Sequence, residues 1–403
     1  MNIRNELCWP LIVSSYTPLN MDCYCVSSRE DDFIQLGYAE NLDKLRTNFA
    51  SKLGVPKIED VNVFPCVFSD KPGPTTEEGC PLPYLTISKG VEKFLIVAKE
   101  REGHICEARY IVLAIIEWEF LPEEEAIDLH TNLKRLSQQF VAQLPRGCAQ
   151  NRTKSCECNK KSEGFSASFG CGKHKFEPIC KFARSKPENI SKFKSSDPQC
   201  STELASVLNK LADHVAQHLL LLAPEAHRAM CPDGASTSCR IGNAGKKPFS
   251  SVTLVSDFSA HTHKDRNNVD GGATAVVTLR PKGGKLDKNS HVLPDFRPAR
   301  AFAARSGGLT FNLPSGSLLI EVAKLLRHAT TAVNAEVSDP RPCRIGVVFY
   351  QHQHLNLRHH GKCEAEKRSF ERLQVLVAKY REGNQLGKIQ MKKVEKYLRI
   401  TGN

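Results

Sequence analysis

The sequence predicts an α+β chain, with amphipathic helices in its first half and a strand-rich stretch over about 245–360 suited to a sandwich or jelly roll. Three observations carry this. Apolar residues recur at helical spacing in three early segments. Short β-branched and aromatic runs, bounded by Gly, Pro and Asn, dominate later, and a middle stretch has neither pattern. With 403 residues, 40% of them hydrophobic and 25% charged, the chain can bury a large core, and disorder is excluded as its default state.

The elements follow in order. Leu42, Leu45, Phe49 and Leu53 share one face of a helix over Asn41–Leu53, which Gly54 stops. A second helix over Glu123–Leu144 opens after Pro122, and a third over Thr202–Ala223 closes at Pro224. Strands are expected at Val91–Lys99, Arg109–Trp118, Ser251–Phe258, Ala273–Leu279, Leu309–Leu313, Ser317–Val322 and Arg344–Tyr350. A basic amphipathic helix over much of Glu364–Leu398 ends the chain, packed on the core with a solvated basic face. No apolar run is long enough for a membrane span.

The middle, about 147–240, is rich in Cys, Lys and Ser and cannot build a core from apolar burial alone, so metal crosslinks are the natural substitute. The 16 Cys are too sparse for a small disulfide scaffold and, with no signal peptide in view, point to metal ligands. A net charge of +12 raises the prior for a polyanionic partner.

The densest chemical motif is HTHKDRNN, in which His263 and Asp265 form an H-x-D pair. Alternate residues of an extended chain face the same side, so an imidazole and a carboxylate are presented together. One more His would complete a 2-His-1-carboxylate set with open metal positions. Alone, the pair reads equally as two surface residues in a turn. Downstream, His328 precedes a turn and Arg344 opens the β-run RIGVVFY; a buried Arg there can clamp the far carboxylate of a dicarboxylate.

The blocks PFSSVTLVSDFSAHTHKDRNNVDGGATAVVTL and RHATT…PCRIGVVFYQH resemble the catalytic blocks of the TET/JBP family of 5-methylcytosine dioxygenases. SFGCGKHKFEPICKFARS, SCRIG, EREGHIC and Cys23-x-Cys25 are similar to that family's Cys-rich region, and the likeness runs with gaps from about residue 23 to 361. The resemblance implies a double-stranded β-helix (jelly-roll) core flanked by helices, with a zinc-bound Cys-rich region. It implies a domain plan of a Cys-rich, DNA-contacting region over 1–240, a dioxygenase core over 241–361 and the basic helix over 362–403.

Carried over by position, the resemblance implies that His263, Asp265 and His328 hold Fe(II). Arg344, Arg146 and His291 would bind 2-oxoglutarate, and Asn268, Tyr350, His352 and Thr253 the flipped base. Lys181, Arg184 and Ser185 would meet the DNA backbone. About three Zn(II) are implied, on Cys23, Cys25, His104 and Cys106; on Cys80, Cys156, Cys158 and His261; and on Cys171, Cys180, Cys239 and His360. The implied activity oxidises 5-methylcytosine in double-stranded DNA to 5-hydroxymethylcytosine and on to the formyl and carboxyl forms, with O₂ as oxidant, in the nucleus, by a monomer. Departures from the family pattern are Lys173, Lys175 and Phe176 in place of bulky hydrophobics, Asn267 in place of His, and Gly346 in place of a small hydroxyl residue. Alternatives are oxidation of thymine in DNA or of 5-methylcytosine in RNA, or a catalytically silent zinc-dependent DNA binder.

Overall fold

The computed structural model describes residues 36, 38–53, 61–68, 75, 85–87, 93–100, 109–142, 165–170, 198–231, 240–242, 247–283, 290–298, 308–331, 344–353, 375–383, 385–387, 389–392 and 394–395. Four helices precede most of the later strands: α1 (Leu42–Leu53), α2 (Glu123–Ala142), α3 (Pro198–Leu222) and α4 (Pro224–Met230). Glu123, Glu124 and Glu125 sit in the first turn of α2, where the helix dipole favours negative charge. Pro224 breaks the run as expected, but the chain re-enters a helix at once with this proline in its first turn, a position that needs no N–H.

The strands form two sheets. The larger, of ten strands, contains β2 (Val61–Phe68), β4 (Lys93–Glu100), β5 (Arg109–Glu117), β6 (Phe165–Gly170), β7 (Ser251–Ser256), β8 (Thr274–Leu279), β10 (Phe296–Pro298), β12 (Ser317–Glu321) and β14 (Ile345–Tyr350). Their order is β10-β2-β4-β5-β12-β8-β14-β7-β6, with β1 (Tyr38–Ala39) also pairing β5. The smaller has the order β13-β9-β11-β3, from β13 (Ala329–Thr330), β9 (His291–Leu293), β11 (Leu309–Phe311) and β3 (Leu85–Ile87). Neighbours are antiparallel except β2–β4 and β11–β3.

Side-chain alternation divides the large sheet into two faces. Val112, Ile115, Leu254, Val277, Ile320 and Val347 pack against the helices through Leu45, Phe49, Leu133, Leu208 and Val215. The opposite face, with Ile111, Leu113, Trp118, Val276 and Leu319, packs on Leu293, Leu309 and Phe311 of the small sheet. Strands covered on both sides lose the apolar–polar alternation, so β8 and β12 read as continuous buried runs.

The expected closed jelly roll is corrected by this topology. Among the described strands the two sheets share no hydrogen-bonded strand, and the large sheet extends past β5 through β4, β2 and β10 instead of closing. β9 and β10, three residues apart, go to different sheets, β9 to β11 and β10 to β2. The α+β class stands. Seven strands had no counterpart among the sequence expectations: β1, β2, β3, β6, β9, β10 and β13. β6 lies within the stretch read as lacking periodicity and pairs with β7 along its whole length. Of the C-terminal basic helix, residues 375–381, 389–392 and 394–395 are helical. No described helix is long and apolar enough to cross a membrane.

Candidate metal centre

The loop after β7 crosses the inner face of the large sheet from one end to the other. At its start Asp257 adopts a positive φ of 41°, a conformation Asp tolerates better than most residues. Its N–H donates to the Arg344 carbonyl at 3.0 Å, and the Arg344 N–H donates to its carboxylate at 2.7 Å. At its far end Asn268 bridges His352. Between these anchors the chain is zipped to the segment around β13. The Ala260 N–H donates to Thr330 Oγ1 at 2.7 Å, and the backbones of His263 and His328 exchange bonds of 3.0 and 2.9 Å. The Asp265 N–H donates to the Ala323 carbonyl, just past β12, at 2.9 Å.

These backbone bonds bring His263, Asp265 and His328 together, with one ligand atom from each within 4.8 Å of the others. His263 Nδ1 lies 2.6 Å from the His261 carbonyl and His328 Nδ1 3.3 Å from that of Leu326. A carbonyl only accepts, so each Nδ1 carries the proton and each Nε2 is the ligand atom. Those Nε2 atoms stand 3.8 and 4.0 Å from the two Asp265 oxygens. Tautomers fixed from behind by a carbonyl are the usual arrangement of metal-binding imidazoles. Two nitrogens and one carboxylate, all partly exposed, fit a divalent iron that keeps open coordination positions.

Among the described residues this is the one group able to hold a metal, so the expectation of three zinc ions beside the iron is corrected to a single metal site. Of the twelve expected zinc ligands only His261 is described, and its backbone carbonyl serves His263. Cys23, Cys25, His104, Cys106, Cys80, Cys156, Cys158, Cys171, Cys180, Cys239 and His360 lie outside the described residues, as do Arg146, Lys181, Arg184 and Ser185.

His291, on β9, faces the centre from the small sheet. Its Nε2 donates to Glu321 Oε2 at 3.0 Å, and its ring lies 5.9 Å from that of His328, tilted by only 15°. Burial alone would raise the Glu321 carboxyl pKa, but His291, His328 and His263 more than offset it and hold the group below its ordinary value.

Arg344 sits at the end where Asp257 is anchored. Its pKa is pushed down to about 9, first by burial and then by the neighbouring Arg280, with Asp257 opposing, so it stays cationic at neutral pH. The expected base-contacting residues gather at the other end. Tyr350 Oη is 3.1 Å from Thr253 Oγ1, which is 2.8 Å from Ser168 Oγ. The His352 ring stands edge-on to Tyr350 at 5.1 Å, and Asn268 Nδ2 donates to Thr274 Oγ1 at 2.9 Å. Sequence reading missed Glu321, Arg280, Asp257 and Ser168. A Glu within the apolar run SLLIEVA was a usable signal; the others carried none.

Residues 175–353 match the family Tet_JBP, the oxygenase domain of the 2OGFeDO superfamily. Similar curated proteins include the methylcytosine dioxygenase TET of Drosophila melanogaster, 32% identical over 298 residues, or 68% of this chain and 10% of that protein. Mouse methylcytosine dioxygenase TET2 is 32% identical over 289 residues, 68% of this chain and 15% of its own length. Human TET3 is 29% identical over 294 residues, 69% and 16% respectively. The chain thus spans between 10% and 16% of the length of these relatives. The solved structure of NgTET1 with 5mC DNA covers 79% of this chain and 93% of that one, at 9% identity and a TM-score of 0.44.

Proposed function

We propose, from the premise that residues 175–353 of the chain belong to the Tet_JBP oxygenase family, that it is an Fe(II)- and 2-oxoglutarate-dependent dioxygenase acting on 5-methylcytosine in nuclear DNA. The observation that carries the reading is the convergence of His263, Asp265 and His328, each imidazole held in the ligating tautomer by a backbone carbonyl.

In this reading those three side chains hold the iron. Iron with 2-oxoglutarate and O₂ supplies the oxidising chemistry when bound. Arg344 clamps the far carboxylate of the co-substrate in a fork-to-carboxylate geometry, with Arg146 and His291 assisting. The target base has to leave the duplex stack, since a methyl group inside it cannot reach a metal held between two sheets. Tyr350 stacks on the extruded base, with its hydroxyl fixed by Thr253 and Ser168, while His352 and Asn268 meet the polar edge. Lys181, Arg184 and Ser185 contact the backbone, and the chain's charge of +12 favours that encounter.

The test is incubation with methylated duplex DNA, Fe(II), 2-oxoglutarate, O₂ and ascorbate, followed by nucleoside mass spectrometry. The expected product is 5-hydroxymethylcytosine, absent with His263→Ala. Unchanged 5-methylcytosine beside oxidised thymine, or turnover only on RNA, overturns the substrate assignment.

A further inference from the structure

We propose that Arg280 is a second guanidinium for the far carboxylate of the co-substrate, set beside Arg344 at one end of the inner face of the large sheet. The inference rests on the reading that this co-substrate is 2-oxoglutarate.

β8 and β14 pair with Ile345 opposite Leu279, and both of these side chains point into the helix-side core. Alternation therefore turns the next residues, Arg280 and Arg344, to the other face, toward the small sheet. Both are buried, at 3% and 4% exposure. Arg280 is held in place from two sides. Its Nε donates to the Leu313 carbonyl at 2.9 Å, and its backbone N–H donates to Ser315 Oγ at 2.9 Å.

Two features beside the arginines mark the spot as shaped for a ligand. Gly346, paired with Thr278, leaves room on this face: a Cβ there would come no nearer than 3.8 Å to Arg344 Nη2 or to Val255. Thr278 is fully buried, and among the described residues its Oγ1 has no hydrogen-bond partner. A buried hydroxyl without a partner is costly unless a ligand or water supplies one. Two buried cations side by side repel, and burial together with Arg280 lowers the Arg344 pKa. A carboxylate placed between them relieves both penalties, because its two oxygens have enough lone pairs for two guanidinium donors and a hydroxyl. A 2-oxo acid without the far carboxylate offers nothing at this end. The pair thus selects dicarboxylic over monocarboxylic 2-oxo acids.

The test uses the full chain loaded anaerobically with Fe(II), titrated with 2-oxoglutarate or with the five-carbon monocarboxylate 2-oxovalerate, and read by charge-transfer absorption. Arg280→Gln keeps a donor for the Leu313 carbonyl but removes the charge. Its 2-oxoglutarate affinity should fall by about 10- to 100-fold, the loss expected for one charge-assisted contact, while 2-oxovalerate binding stays unchanged. Arg280→Lys should restore part of the difference. Unchanged 2-oxoglutarate affinity in R280Q, or equal loss for both acids, overturns the proposal. If R280Q does not fold, R280K decides: lacking the fork, it should bind 2-oxoglutarate at least about threefold more weakly with 2-oxovalerate unaffected, and wild-type affinity for both overturns the proposal. A wild-type protein that binds no 2-oxoglutarate refutes the co-substrate reading itself, a distinct result.

Discussion

Glu321 offers the sharpest test of how the centre is held. It is a carboxylate at 1% exposure on a strand whose neighbours are apolar, and it accepts a hydrogen bond from His291 Nε2 at 3.0 Å. Truncation to Ala leaves the imidazole N–H without that acceptor in a site water cannot readily fill. Losing a buried hydrogen bond to a charged acceptor costs roughly 1.5–3 kcal/mol, and no solvent discount applies at this burial. Glu321→Gln keeps an oxygen in the same place. Charge-assisted hydrogen bonds are roughly twice as strong as neutral ones, so Gln should lose only about 1–1.5 kcal/mol.

Urea denaturation of the metal-free protein near neutrality, followed by circular dichroism, measures both. His291→Ala closes a double-mutant cycle, whose coupling with E321A should be about 1.5–3 kcal/mol. The pH dependence has a defined sign. The Glu321 pKa is depressed in the folded chain below its ordinary 4.5, so its contribution is complete above 4.5 and is lost as pH falls through the lower folded value. The stability gap between wild type and E321Q should therefore be flat near neutrality and shrink only below 4.5. An E321A cost under about 1 kcal/mol, or full additivity with H291A, would refute the coupling.

Asp265→Ala should lower Mn(II) affinity, measured by calorimetry, by at least about 100-fold, since the loss of a direct ligand exceeds the 10- to 100-fold typical of outer contacts; an unchanged isotherm would show that the carboxylate does not bind metal. Gly316, in the turn before β12, has φ +83°, and a Cβ there would lie 2.6 Å from the Leu121 carbonyl oxygen. Gly316→Ala should destabilise by about 2 kcal/mol or more, from left-handed strain of about 1–2 kcal/mol plus the backbone clash, and an unchanged melting temperature would contradict that approach.

What sequence reading could see depended on how local each signal was. The three long helices were legible because burial on one face leaves a period, and β12 and β8 as continuous apolar runs, so the expected Ser317–Val322 and Ala273–Leu279 meet them within a residue, whereas β2 and β6 went unread. Sheet closure was not, because it depends on which partner a strand finds. β9 and β10, three residues each, carry too few side chains to announce that they part to different sheets. His263 and Asp265 were legible as an H-x-D pair, and the bridge from His263 to His328 supplied what spacing could not. Glu321 and Arg280 escaped for a common reason. Each is a single charge in or just past an apolar strand, and its meaning lies in a neighbour distant in sequence: His291 for one, Arg344 for the other.

In the proposed reading, those two charges would let one face serve two ligands of different character. The loop from Asp257 to Asn268 is pinned at Arg344 on one end and His352 on the other, so His263 and Asp265 lie between the arginines and the tyrosine–histidine pair. The Asp265 and Glu321 carboxylates sit where a divalent cation would be held, and the two guanidiniums sit beyond it on one side. A molecule lying across that face meets metal at one end and cations at the other, a polarity that suits a dicarboxylate whose oxo-acid end faces the metal. On the opposite side the polar groups are neutral, from the Ser168–Thr253–Tyr350 hydroxyl line to the Asn268 amide, and they suit an uncharged base. In the proposed reading, exchanging charge between the two sides would defeat both tasks, and the order of arginines, metal and tyrosine along the sheet would separate co-substrate from base.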